Sequence, residues 1–302
     1  MPSARYIWFD GTFVDYNKAM VHVLTHSLQY GTGIFEGVRA YGAKKGTAIF
    51  RLDDHVKRFY NSAKIYNMPL RFKPKDFRNA IIETVRRNKL AECYLRPFAF
   101  YSNTRLGVNP KGTPTSTIVA AIPMGSYFAN KDKGLSCKVV SWRRINSAIL
   151  PPEAKGSGNY LNSMLASFEA NEAGADEAIL LSLESYVAEG PGENIFMVQD
   201  DKLVTPSKAS DILLGITRDS IIKLAENMGL TVEERGVHRE ELVTSDEIFF
   251  CGTAAEITPI VKVDDEKIGN GKPGPITKMV NNAYVKATRG ENREFEDWLT
   301  YV

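Results

Sequence analysis

Apolar residues recur with helical spacing in several stretches of the chain, and each stretch predicts a helix with one buried face. A helix is expected over about Leu52 to Tyr66, before a break at Pro69. A clearer one begins near Asp76. Its apolar face carries Phe77, Ala80, Ile81, Thr84 and Val85. These positions follow the i, i+3, i+4, i+7 pattern of an amphipathic helix.

Two further helices are expected in the second half of the chain. In the first, we expect the inner stripe to consist of Leu161, Met164, Leu165 and Phe168, with the helix ending near Gly174. The other follows Gly215 and is expected to end at Gly229, with Thr217 as its cap. Its core-facing residues are Ile221, Leu224, Ala225 and Met228.

Short apolar runs bounded by turn residues predict strands. Ile7–Phe9 and Thr12–Val14 flank Asp10-Gly11, a strong two-residue hairpin signal, and Asp200-Asp201 is expected to form a similar turn. Further strands are expected at Cys93–Tyr101, Thr117–Ile122, Cys137–Trp142, Ala178–Leu183, Ile195–Val198, Leu203–Thr205 and Glu247–Cys251. Strands mixed with helices in both halves predict an α/β or α+β fold.

A polar, Gly-containing stretch divides the chain. We expect residues 1–122 to form a small N-terminal α/β domain, 123–134 an interdomain loop, and 135–302 a larger C-terminal domain. The length of 302 residues fits two domains of ordinary size.

Composition excludes several classes of function. Lys and Arg number 38 against 36 for Asp and Glu, a net charge of +2, which favours neither nucleic acid nor an anionic membrane as partner. The three cysteines form no CxxC pair, and His22 and His26 lack the glutamate of a zinc protease motif, so no metal site is expected. The N-terminus carries no signal-like apolar stretch, and a cytoplasmic protein in a reducing compartment is expected.

Three generic motifs fail on inspection. Gly31-Thr32-Gly33 is followed by Glu36 where a dinucleotide fingerprint requires glycine. Gly271-Lys272 is followed by Pro273 where a Walker A loop requires Ser or Thr. No GxSxG nucleophile elbow is present.

Five polar, glycine-containing segments remain. They are residues 27–39, 154–160, 188–196, 214–219 and 252–256. Gly215-Ile216-Thr217 begins an expected helix, where free N–H groups and the helix dipole favour an anion such as phosphate. Lys155 lies among small residues, and a lysine amine forms imines once its pKa is lowered; the alternative is a solvated surface lysine.

Taken together and in this order, the five segments resemble the fold type IV pyridoxal-phosphate (PLP) enzymes, and specifically the branched-chain amino acid aminotransferases. The resemblance extends from about Trp8 to Lys278. It implies a larger C-terminal domain with a barrel-like sheet and a Schiff base between PLP and Lys155. It further implies that Tyr160 bonds the phenolic oxygen of PLP and that Glu189 pairs with the pyridine nitrogen. The implied phosphate-binding residues are Arg58, Gly215, Ile216, Thr217 and Thr253. For Arg58, a surface ion pair on a helix is the alternative.

The resemblance also implies a substrate pocket and a homodimer or higher homo-oligomer. Tyr94 and Arg96 face one side of a strand, and Arg96 would hold the distal carboxylate of glutamate. The implied apolar wall consists of Phe35, Gly37 and Tyr127, and the implied α-carboxylate ligands are the amides of Thr253 and Ala254. Tyr30 and the loop containing Val108 would come from the neighbouring subunit. Met124 departs from the family, where bacterial relatives carry Trp, and a looser pocket follows.

The implied reaction transfers an amino group between leucine, isoleucine or valine and 2-oxoglutarate. One alternative is a related transaminase that prefers D-amino acids or (R)-amines, against which Tyr94 and Arg96 argue. Another is a catalytically silent PLP-binding homologue, but both Lys155 and Glu189 are present.

Overall fold

A computed structural model describes residues 4–125, 127–128 and 131–302 of the chain. Its strands, in chain order, are β1 Tyr6–Phe9, β2 Thr12–Asp15, β3 Gly33–Phe35, β4 Val38–Ala43, β5 Gly46–Phe50, β6 Cys93–Tyr101, β7 Thr115–Ile122, β8 Leu135–Arg143, β9 Glu177–Leu181, β10 Val187–Glu189, β11 Asn194–Gln199, β12 Lys202–Pro206, β13 Val232–Arg235, β14 Glu247–Gly252, β15 Glu256–Val263, β16 Glu266–Lys267 and β17 Leu299–Tyr301. Its α-helices are α1 His26–Tyr30, α2 Leu52–Ile65, α3 Pro74–Asn88, α4 Tyr160–Glu172, α5 Ile216–Asn227, α6 Arg239–Thr244 and α7 Pro275–Thr288. The expected mixed α/β class is confirmed, with two sheets of which one is a curled half-barrel.

The chain forms two compact units, and neither is a single continuous segment. The first comprises Met1–Gly125, Ala154–Gly158 and Lys286–Val302, and the second Ser126–Glu153 and Asn159–Val285. Lys155 therefore belongs to the first unit, although it lies far along the chain from that unit's sheet. The boundaries 1–122, 123–134 and 135–302 stay a prediction about domains.

The first unit is built on an eight-stranded sheet. Its main path runs β17-β5-β4-β6-β7-β1-β2, with β3 paired to β6. Helix α3 buries Phe77, Ala80, Ile81, Thr84 and Val85, which confirms the expected face. The hairpin turn is also confirmed, since Asp10 and Gly11 adopt φ of 46° and 99° between β1 and β2, the positive values of a type I′ turn.

The second unit is built on a nine-stranded sheet. Its main path runs β10-β9-β8-β15-β14-β11-β12-β13, with β16 paired to β15. Its core joins residues from most of these strands, among them Ile195, Met197, Ile248 and Ile260. Gly229, with φ of 80°, follows the end of α5 as expected.

Two expectations about helices in this unit are wrong. The buried face of α4 consists of Ser163, Ala166 and Ala170, whereas Leu161, Met164 and Phe168 are exposed and Leu165 is half-buried. Ala166 and Ala170 pack with Val140, Ala178 and Leu180. The large apolar residues and the small residues both recur with helical spacing. The small side chains face the sheet because they allow the helix to approach it closely. Thr217 is not the cap of α5 either, since the cap position is Gly215 and Thr217 lies inside the first turn.

Candidate active site

Lys155 is fixed by its main chain to β3 and α2 in the first unit. Its carbonyl accepts from the Phe35 amide at 3.0 Å. Its own amide donates to Ser62 Oγ at 3.1 Å. The neighbouring Gly156 is bridged to Ile34, and a Cβ there would lie 2.7 Å from the Tyr66 ring. The segment therefore requires glycine for close approach, and it holds the lysine amine 5.1 Å from the centre of the Phe35 ring.

A buried ion cluster lies on the same unit. Glu36, with 0% exposure, accepts from Arg58 Nε at 2.7 Å and Nη2 at 2.8 Å. It also pairs with His55 Nδ1 at 2.8 Å. Burial alone would raise the pKa of Glu36, but the charge and hydrogen bonds of Arg58, with those of His55, hold it well below its usual range. Glu36 is therefore ionised.

His55 is neutral in this cluster. Burial lowers the pKa of His55, and the hydrogen bond and charge of Glu36 only partly oppose the shift, while Arg58 and Lys155 add to it. A neutral imidazole that donates from Nδ1 to Glu36 satisfies this geometry. Arg58 is thus an internal partner of a buried carboxylate, rather than one half of a surface ion pair.

Tyr94 and Arg96 of β6 lie on one side of the strand, as the period of two requires. Arg96 Nη2 donates to Tyr94 Oη at 3.2 Å, and the guanidinium carbon lies 4.5 Å from the Phe35 ring centre. Among the described residues, Arg96 pairs with no carboxylate, and its Nε is buried without a hydrogen-bond partner. A Cβ on Gly37 would overlap Tyr94 Oη, so Gly37 leaves the space that the tyrosine occupies.

Glu189 is a buried carboxylate of the second unit, and its partners include Arg144, Asn194 and the Leu213 amide. It is 4% exposed, and Oε1 accepts from Arg144 Nε at 2.6 Å. Oε2 accepts from Asn194 Nδ2 at 2.9 Å and from the Leu213 amide at 3.1 Å. A buried carboxylate with a cation and two further donors is stabilised in its charged form.

The start of α5 lies three residues beyond Leu213. Gly215 is the cap residue, and Ile216 and Thr217 are the first residues of the helix, both buried. Their amides belong to the first turn, where helical hydrogen bonding supplies no acceptor. The turn is therefore suited to an anion.

The structure divides the predicted site residues between the two units. The first holds Lys155, Arg58, Phe35, Gly37, Tyr94, Arg96, Tyr30 and Val108. The second holds Tyr160, Glu189, Gly215, Ile216, Thr217, Thr253, Ala254 and Tyr127. Of these, Tyr160 begins α4, and Thr253 and Ala254 lie in the turn between β14 and β15. Tyr127 is 51% exposed, and Val108 is 75% exposed.

Several residues that contact this set directly escaped the sequence-based prediction, among them Glu36, Ser62, Arg144 and Asn194. His55 pairs with Glu36 in turn. Glu36 and Asn194 lie inside the glycine-containing segments 27–39 and 188–196, but nothing in the residue order shows which polar side chains turn inward. Arg144 is 45 residues from Glu189 in the chain, so only the tertiary structure reveals the pair.

All three cysteines are buried and unpaired. Burial raises the pKa of Cys93 to about 12, and it also raises the pKa values of Cys137 and Cys251. These thiols are therefore poor nucleophiles. Within the described ranges, no cluster of metal-ligating side chains occurs, and no helix there has the length and apolarity to cross a membrane.

The model of the amino-transferase class IV family matches residues 33–263, more than half of the chain. The chain belongs to the class IV aminotransferases. The branched-chain-amino-acid aminotransferase of Escherichia coli K12 is 42% identical over 302 residues, covering 99% of this chain and 98% of that one. The Pseudomonas aeruginosa PAO1 enzyme of the same name is 43% identical over 298 residues, covering 98% and 97%.

Solved structures place the chain within the branched-chain branch of this family. The T.th. branched-chain amino acid aminotransferase with pyridoxamine 5′-phosphate matches at a TM-score of 0.96 and 46% identity, covering 100% of this chain and 99% of that one. The same enzyme complexed with N-(5′-phosphopyridoxyl)-L-glutamate matches at 0.95 and 45%, with the same coverage. The expected family, the fold type IV architecture and the cofactor class are confirmed, and the chain is an aminotransferase.

Proposed function

We propose that this aminotransferase reversibly transfers the amino group between L-leucine, L-isoleucine or L-valine and 2-oxoglutarate, with PLP bound covalently to Lys155. The observation that carries the substrate assignment is Arg96, a guanidinium among aromatic rings without a carboxylate partner among the described residues. A branched-chain transaminase must accept apolar side chains and the carboxylate of glutamate in turn. The rings of Phe35 and Tyr94 suit the first, and Arg96 suits the second.

The residues present fit PLP in three respects. Lys155 supplies a primary amine on a segment fixed at both its amide and its carbonyl. Glu189 supplies a buried carboxylate of the kind that holds a pyridine nitrogen protonated. The start of α5 supplies amides of a helical first turn for a phosphate.

When bound, PLP supplies an electron sink for the substrate carbon that loses its proton. Lys155 Nζ would take up that proton from the substrate Cα and deliver it to the cofactor's C4′ carbon in one half-reaction, with the reverse transfer in the other. Arg144, Asn194 and the Leu213 amide hold the Glu189 carboxylate in one orientation. Glu36 fixes Arg58, which the family resemblance assigns to the phosphate.

We further propose that Tyr160 contacts the phenolic oxygen of PLP, that Thr217 and Thr253 bind its phosphate, and that the amides of Thr253 and Ala254 bind the substrate α-carboxylate. A homodimer, with Tyr30 and Val108 entering the neighbouring subunit's site, fits the 38% and 75% exposure of these side chains in the single chain. A reducing cytoplasmic compartment fits the three unpaired cysteines.

The test is the visible absorption spectrum of the purified protein after addition of PLP. We expect a band that L-leucine bleaches and 2-oxoglutarate restores. Lys155→Ala should lose this band while keeping the parent's circular dichroism, and Lys64→Ala, an exposed lysine of α2, should retain it.

The outcomes separate the candidate functions. A band that responds faster to D-alanine or an (R)-amine than to L-leucine would move the protein to the related transaminases. A folded Lys155→Ala protein with full turnover would overturn the assignment of the lysine. A parent protein that binds PLP and turns over none of these substrates would be a silent homologue.

A further inference from the structure

A single side-chain amide connects Glu189 to the turn that leads into α5. Asn194 Nδ2 donates to Glu189 Oε2 at 2.9 Å and to the Leu213 carbonyl at 2.9 Å. Its Oδ1 lies so close to Gly215 that a Cβ on that residue would overlap it. Asn194 is 6% exposed. One buried residue therefore contacts both the carboxylate and the turn.

The orientation of this amide follows from its partners. Both groups facing Nδ2 are acceptors, a carboxylate and a carbonyl, so the nitrogen must point toward them. A carboxylate at this position would face two acceptors with no proton to share. Asparagine is thus required for its hydrogens, and aspartate of the same shape would reverse the interaction.

Gly215 and Asn194 depend on each other for space. Gly215 adopts φ of −70°, where any residue is tolerated, so its backbone conformation does not explain the glycine. The overlap with Asn194 does explain it, because a methyl group at residue 215 would displace the amide that holds Glu189.

We propose that Asn194 is a positioning residue that fixes the Glu189 carboxylate relative to the first turn of α5. The inference rests on the proposed function, in which Glu189 faces the pyridine nitrogen and the first turn binds the phosphate. The ring nitrogen and the phosphate of PLP lie a nearly fixed distance apart. The Glu189 carboxylate and the first turn of α5 must therefore keep a matching separation to bind PLP well. Asn194 keeps it through hydrogen bonds to the carboxylate and to the residue two positions before Gly215.

The first experiment is a double-mutant cycle. The parent, Asn194→Ala, Gly215→Ala and the double variant are prepared without PLP, and the free energy of unfolding and the PLP dissociation constant by equilibrium dialysis are measured for each. Each single change should raise the dissociation constant roughly tenfold or more, the effect of losing a hydrogen bond to a charged group. The dissociation constant of the double variant should rise much less than the product of the two single increases, because the methyl group added at residue 215 then meets no Asn194 side-chain amide.

The second experiment uses Asn194→Asp, which keeps the shape and removes the donor. In the PLP-bound variant, the visible absorbance should change with pH at a midpoint about one pH unit away from that of the parent. The reason is that a second carboxyl group then lies beside Glu189. Asn171→Asp is the matched control, because Asn171 is exposed and its amide donates only to the Ala175 carbonyl. This control should match the parent in midpoint and in affinity.

The proposal would be overturned if the two changes acted independently in both measurements. In that case their effects on the free energy of unfolding would add, and their effects on the PLP dissociation constant would multiply. An Asn194→Asp protein with the parent's affinity and midpoint would also overturn the proposal. A parent that binds no PLP would instead overturn the proposed function, and this inference with it. Non-additivity in the unfolding of the PLP-free protein together with weakened PLP binding supports the positioning role.

Discussion

At the residue scale, the Glu36, His55 and Arg58 cluster shows how neighbours decide the charge of a buried group. Glu36 and His55 are both almost fully buried, and the pKa of each is lowered, although burial by itself would raise that of Glu36. For Glu36 the nearby cation outweighs burial, whereas for His55 burial outweighs the nearby anion. The result is a charged acid and a neutral base that share one hydrogen bond.

This cluster makes stability sensitive to acid. A histidine with a lowered pKa in the folded state binds protons more readily when unfolded, so its stabilising contribution is full above its ordinary value of 6.5 and declines as the pH falls below that value. Glu36 acts in the same direction, but only below its ordinary value of 4.5. His55 therefore accounts for the loss at mildly acidic pH.

We expect the free energy of unfolding to fall from pH 7 to pH 5 more steeply in the parent than in His55→Asn, by at most about 1.4 kcal/mol per pH unit. Urea unfolding of the PLP-free proteins at several pH values measures the slope. His22→Asn, which changes an exposed histidine, should keep the parent's slope. A parent and a His55→Asn protein with equal slopes would contradict the neutral state of His55.

At the element scale, local signals were sufficient for some elements and insufficient for others. The β1–β2 hairpin and the buried face of α3 could be predicted, because turn residues and apolar period act within a few positions. The buried face of α4 could not, since Leu161 and Ala166 belong to two stripes of equal period and only the sheet selects between them. The partners of Lys155, and Arg144 and Leu213 among those of Glu189, come from distant segments. The site residues could therefore be named by resemblance, while most of their supporting contacts could not.

The close approach of Gly37, just before β4, to β6 yields a test of the substrate pocket. Gly37→Ala should displace Tyr94, because the added methyl would overlap its hydroxyl. We expect the KM for L-leucine to rise about tenfold, as small displacements of binding groups do, and Tyr94→Phe should restore part of the loss in the double variant. Gly42→Ala, within β4, should leave KM unchanged, since a Cβ there meets the Glu92 side chain, at 3.2 Å from Oε1, and the end of the Arg289 side chain, at 3.8 Å, and neither residue belongs to the proposed pocket. Steady-state kinetics would contradict the pocket assignment if both alanine variants behaved alike.

At the scale of the whole molecule, the exposed loop at Val108 is held from within its own chain. The buried His26 lies with Nε2 3.0 Å from the Gly107 carbonyl, and Tyr30 Oη accepts from the Gly107 amide at 3.2 Å. Leu106 and Val108, on either side of this glycine, are each 75% exposed. A clamped loop with two exposed apolar side chains is suited to insertion into a second copy.

Hybrid dimers test whether that insertion completes the neighbour's site. Lys155→Ala and Val108→Asp should each be impaired alone, but a co-refolded equal mixture should recover activity at roughly a quarter of the sites, since half of the dimers are hybrids with one intact site. Turnover of L-leucine in the mixture measures the gain. Lys111→Asp, an exposed change in the same loop, should be active alone. No gain in the mixture would show that each site is formed by one chain.

The burial of all three thiols makes the protein convenient for labelling. With Cys93, Cys137 and Cys251 enclosed and their pKa values raised, alkylating probes find no ready target on the native chain. A cysteine introduced at exposed Lys111, in the same loop as Val108, would therefore be the sole reactive thiol, without removal of any native one. A fluorophore attached there would report on the surroundings of the loop during turnover.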